Sequence, residues 1–67
     1  MSETYPLQDR EVIIEMRPFG TLVRISAMDT KTMTEITLSG PKTTPESILK
    51  RNALKRLEYV MKKKGLI

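Results

Sequence analysis

Cysteine, histidine and tryptophan are absent from this chain, phenylalanine occurs once and tyrosine twice. Without cysteine no disulfide can staple the fold. Without histidine as well, a conventional zinc or iron–sulfur site is nearly excluded, so no metal or other cofactor is expected. The missing cysteines fit a reducing cytosol. No apolar run approaches the ~20 residues that span a bilayer, and Met1–Arg10 is acidic and polar, unlike a signal peptide. The expectation is a soluble cytoplasmic protein with no membrane partner. Catalysis lacks its commonest groups too. The remaining carboxylates, lysines, hydroxyls and tyrosines need a water-excluding pocket to shift their pKa values, and 67 residues rarely enclose one. The chain reads as non-enzymatic.

What the chain does have is positive charge at one end. Residues 46–67 hold seven of the twelve basic groups (Lys50, Arg51, Lys55, Arg56, Lys62, Lys63 and Lys64) against Glu46 and Glu58. Residues 1–45 hold five basic groups against six acidic ones, so the net +4 originates in the C-terminal segment. Such a localised field can gather phosphates or acidic partners.

The length allows one small domain. Met1–Arg10 has no periodicity and is interrupted by Pro6, so residues 1–10 read as a flexible lead to a single domain over residues 11–67. Glu11–Met16 alternates, with Val12, Ile14 and Met16 on one side; Ile13 spoils the polar side. Arg17-Pro18-Phe19-Gly20 has turn chemistry. Thr21–Ala27 alternates again, with Val23, Ile25 and Ala27 inward. Asp29-Thr30-Lys31-Thr32 makes a second turn without a glycine, and Met33–Ser39 forms a third strand with Ile36 and Leu38 inward. Pairing Ile14 with Val23, Val12 with Ile25, Ile25 with Ile36 and Val23 with Leu38 brings inward residues opposite inward residues throughout. A three-residue first loop would set Ile14 against Arg24 and is rejected.

Gly40-Pro41 stops the sheet. A helix then begins near residue 45, capped either by Thr43 with Glu46 as a capping box or by Thr44 ahead of Pro45, and ends at Gly65. Leu49, Ala53, Leu54, Leu57, Val60 and Met61 fall within an arc of about 140° that covers the sheet. The fold class is α+β: a three-stranded antiparallel sheet of order 1-2-3 packed on one C-terminal helix, βββα.

Two surfaces remain. On the sheet face turned from the helix, Ile13, Leu22, Met28 and Met33 are more apolar than a solvated face requires, and methionine suits an adaptable protein contact. Three glutamates, Glu11, Glu15 and Glu35, make that face a poor reader of phosphates. On the outer helix face, Arg51, Lys55, Lys62 and Lys63 flank Tyr59, a combination able to hold a nucleic-acid backbone and stack a base, or simply to lie solvated. Phe19, at a hairpin tip, is either a contact residue or folded back onto the helix end, and the chain's poverty in aromatics favours folding back.

Gly20–Ala27, Thr34-Glu35-Ile36 with Ser39-Gly40-Pro41, and Lys55–Val60 together resemble a small bacterial family of uncharacterised proteins, a domain of unknown function, over Pro18–Met61. That resemblance implies no activity. The leading expectation is a protein-interaction module whose partner is an unidentified protein or a second copy. The alternative is weak electrostatic binding of RNA or DNA through the basic helix.

Overall fold

The computed structural model describes residues 2–67. Four strands precede one helix: β1 Ser2–Leu7, β2 Arg10–Phe19, β3 Leu22–Asp29, β4 Thr34–Pro41 and α1 Glu46–Lys63. All neighbours are antiparallel and the order is β1-β2-β3-β4. The α+β class and the sheet-then-helix order match the sequence reading. The strand count does not: the segment read as a flexible lead is a fourth strand.

β1 escaped the periodicity argument because its inward positions are Glu3, Tyr5 and Leu7, of which only leucine is plainly apolar. Pro6 is tolerable because β1 is an edge strand, where one side of the backbone has no ladder to feed. Gln8-Asp9 closes a two-residue loop between Leu7 and Arg10, with Gln8 at φ +57°. That is a primed-turn geometry carried by a residue that rarely adopts it.

The next hairpin also differs from expectation in a physically informative way. β2 runs on through Arg17-Pro18-Phe19, and the loop is only Gly20-Thr21 between Phe19 and Leu22. Gly20 sits at φ +63°, which suits the first loop position of a primed two-residue turn, where a side chain would be strained. Ile14 therefore faces Ala27 and Met16 faces Ile25, a slide of four residues from the expected pairing. Between β3 and β4 the slide is two, with Ile25 opposite Leu38 and Ala27 opposite Ile36. Both slides are even, so the residues expected in the strands and found there keep their expected inward positions.

α1 lies across β3 and β4. Val12, Ile14, Ile25 and Ala27 from the sheet close against Leu49, Ala53, Leu57 and Met61 from the helix, all buried. Leu54 packs half-buried at the border of this core. The contact is close at Gly40, where an added Cβ would stand 2.6 Å from Leu49 Cδ2. Neither expected N-cap forms. Pro45 occupies the cap position without a side-chain bond, and its carbonyl accepts from the Ile48 and Leu49 amides at 3.0 and 3.2 Å. At the other end the helix stops as expected. Gly65 N–H donates to Lys62 O at 3.1 Å and Leu66 N–H to Met61 O at 2.9 Å, the paired bonds of a Schellman motif.

Candidate functional site

Period-2 alternation along β2 and β3 turns a second set of side chains away from the helix, and no second layer among the described residues packs on them. In register order across the sheet they form rows. Thr4, Ile13, Met28 and Glu35 make one row; Glu15, Ser26 and Thr37 the next; then Arg17, Arg24 and Ser39; then Phe19, Leu22 and Pro41.

Of the residues singled out from sequence, the face brings Ile13 and Met28 together as direct, half-buried cross-strand partners. Leu22 shares the face but stands six residues along β3 from Met28, about 20 Å at strand rise. It is 43% exposed. Met33 is not on the face. It belongs to the β3–β4 loop at φ +61° and is 67% exposed, because β4 begins one residue later than expected.

The missed residue is Phe19. Instead of folding back onto the helix it is 68% exposed at the end of β2, beside Leu22, with the Arg24 guanidinium 5.6 Å from its ring centroid. Reading Pro18-Phe19-Gly20 as a turn hid it. Extending the period-2 pattern from Ile13 through Glu15 and Arg17 would have reached it.

The apolar residues thus make two bands, Ile13/Met28 and Phe19/Leu22. Between them is an open polar depression of about 230 Å³ lined by Glu15, Arg17, Arg24, Ser26, Glu35 and Thr37. Arg17 and Arg24 are direct cross-strand partners, an unfavourable placement of like charges. Among the described residues none of Glu15, Arg17, Arg24 or Glu35 makes an ion pair. The face carries charge of both signs, unspent.

A family model described as Domain of unknown function (DUF6898) matches residues 9–64, from the start of β2 to the end of α1. The chain belongs to that family. No curated protein and no solved structure matches it. The match leaves β1 outside, so in this DUF6898 chain the outer face, the helix and the basic segment all lie within the family domain.

One residue of the basic segment does not belong to a solvated face. Lys50 is drawn inward. Its Nζ donates to both Glu3 carboxylate oxygens at 2.7 Å and lies 3.2 Å from Glu46 Oε1, and Tyr5 Oη donates to Glu3 Oε2 at 2.5 Å. The bond to Lys50 holds the Glu3 carboxyl below its usual range, and the same bond holds the Lys50 ammonium well above its own. This cluster ties β1 to α1. Arg51, Lys55, Lys62 and Lys63 are exposed as expected. Tyr59 is 55% exposed, but cations already attend its ring, Arg56 at 5.5 Å and Lys63 at 5.9 Å.

The remaining charge cluster is structural. Asp29, fully buried, ends β3 and organises the glycine-free turn. Its Oδ2 accepts from the Thr32 amide at 3.0 Å, the Thr32 hydroxyl at 2.7 Å and Arg10 Nη1 at 3.0 Å. Burial pushes its carboxyl up, but these donors prevail and hold it below its ordinary value. Among the described residues no group of three acidic, histidine or cysteine side chains could hold a metal ion. No helix among the described residues is long and apolar enough to cross a membrane.

Proposed function

We propose that this protein is a non-catalytic protein-interaction module of the cytoplasm, working through the sheet face opposite α1. The observation that carries the reading is the uncovered face itself, with Phe19 and Leu22 exposed at one end, Ile13 and Met28 half-buried at the other, and unpaired charges between. Phe19 and Leu22 stand exposed side by side, and exposed aromatic and arginine side chains are the types enriched at protein contacts. Nucleic-acid binding draws less support. The tyrosine that would stack a base already carries Arg56 and Lys63 over its ring, and Lys50 is engaged by Glu3.

The test is photo-crosslinking in cells with a crosslinking amino acid at Leu22 and, separately, at Lys55. A protein adduct from Leu22 and none from Lys55 is expected. Adducts to nucleic acid from Lys55, with Leu22 silent, would overturn the assignment.

A further inference from the structure

Along β2 the outward residues run Ile13, Glu15, Arg17, Phe19: apolar, acid, base, apolar. Read in reverse, the apolar ends coincide and the two charges exchange sign. Along β3 the outward residues run Leu22, Arg24, Ser26, Met28, and reversal again sets apolar on apolar. The midpoints of both runs fall on Met16 and Ile25, which are cross-strand partners, so the two reversals share one centre. An arrangement that complements itself under a half-turn is the signature of an isologous contact.

We infer that the outer sheet face binds a second copy of this chain, through a two-fold axis that lies between the sheets, perpendicular to the strands, and passes beneath the Met16–Ile25 pair. The inference rests on the reading of that face as an interaction surface and names its occupant. In this packing β2 runs antiparallel over β2 of the second copy. Glu15 meets Arg17 twice, once in each direction, and Ile13 meets Phe19 twice. On β3, Met28 meets Leu22 and Arg24 meets Ser26, again in both directions. Sheets packed face to face keep their strands within about 30°, close enough for the opposed side chains to interdigitate.

The second copy also answers the internal difficulty of the face. Arg17 and Arg24 oppose each other within one sheet with no carboxylate in ion-pair range. The opposing Glu15 supplies that carboxylate, and the depression of about 230 Å³ leaves room for the paired side chains and water. An unrelated acidic partner would meet Glu15 and Glu35, and a basic one would meet the arginines. A copy of the same face sets Glu15 against Arg17 in both directions, so neither charge at its centre is left facing its own sign.

Four strands about 4.8 Å apart and eight residues long give a footprint of roughly 500 Å² per copy, near the lower limit for specific contacts. Contacts that small are typical of weak, transient encounters, so the dimer is expected to form and dissolve with concentration.

The experiment is sedimentation equilibrium of the wild-type chain from about 20 µM to 2 mM, with folding verified from amide spectra. Mass should rise from monomer towards dimer across that range. Glu15→Arg alone and Arg17→Glu alone each place like charges in opposition twice and should weaken the dimer tenfold or more. An equimolar mixture of those two variants should associate, because each then meets its complement, and the double variant should recover self-association for the same reason. Phe19→Ser, which leaves the charges untouched, should also weaken it. Wild type that stays monomeric at 2 mM overturns the inference, as does a dimer that neither the mixture nor the double variant restores. In either event an adduct from Leu22 to a different protein would leave the interaction face standing with another occupant, whereas silence at Leu22 would remove both readings.

Discussion

Asp29 has one fully employed oxygen and one idle one. Oδ2 gathers three donors, while buried Oδ1 has no partner among the described residues. An ionised carboxylate survives burial only where charge-assisted hydrogen bonds offset the lost hydration, and Thr32 and Arg10 do so here. Removing it strands the Arg10 guanidinium and frees a loop that keeps non-glycine Met33 at φ +61°. Asp29→Ala should therefore cost about 2–3 kcal/mol, and Thr32→Val about 1 kcal/mol, by urea denaturation. Equal, near-zero losses would mean that the loop holds itself. Residue-level legibility followed chemistry that repeats. Alternation placed Ile13, Leu22 and Met28 on one face, because period 2 survives any error in strand length. Phe19 and Met33 were misplaced because each depends on where a strand stops, and that depends on single φ values at Gly20 and Met33.

Elements with one buried apolar stripe were easy to read; the element whose burial is partly polar was not. α1 shows its stripe at helical spacing, and Leu49, Ala53, Leu57 and Met61 are buried as that spacing implies. β1 instead attaches to α1 through the Glu3–Lys50 pair, 47 residues apart in the chain and encoded by no local pattern, with Tyr5 bonded to the same Glu3. The helix-to-sheet contact at Gly40 was equally invisible, since its content is the absence of a side chain. Gly40→Ala should destabilise by about 1–3 kcal/mol, because the new methyl group occupies the space of Leu49 Cδ2. Leu49→Ala should cost about 2–4 kcal/mol through a cavity. The double variant should lose clearly less than the sum, because the methyl group partly fills that cavity. Strict additivity in a double-mutant cycle would show that the two sites do not touch. The bare cap gives an opposite expectation. Pro45→Asp supplies the missing side-chain acceptor, and should raise stability by about 0.5–1 kcal/mol.

Across the whole molecule, the C-terminal charge surplus divides into a part that holds the fold and a part that meets solvent. Lys50 belongs to the first, through Glu3 and Glu46; the other six basic residues after it make no ion pair among the described residues. Any nucleic acid held by about four of these cations should lose affinity roughly 10³-fold between 20 and 150 mM salt, as counterion release requires. Amide shifts over residues 48–63 that persist at 150 mM salt would contradict that expectation. Stability against pH follows the same division. The Glu3 and Asp29 carboxyls are depressed in the folded chain, so their contribution is complete above the unfolded values near pH 4 and fades as pH falls through the lower folded values. The Lys50 ammonium is raised, so its contribution is complete below about pH 10.4 and fades as pH climbs through the folded value above it. Thermal melts at low salt should then show a plateau from about pH 5 to 10 with losses on both sides. Lys50→Met removes one interaction seen from both partners, so it should lower the plateau, flatten the alkaline loss and soften the acid one. Asp29, with the Tyr5 bond that still depresses Glu3, would govern what remains of the acid loss. An alkaline loss unchanged by Lys50→Met would show that β1 is held to α1 by packing, with the ion pair contributing nothing measurable.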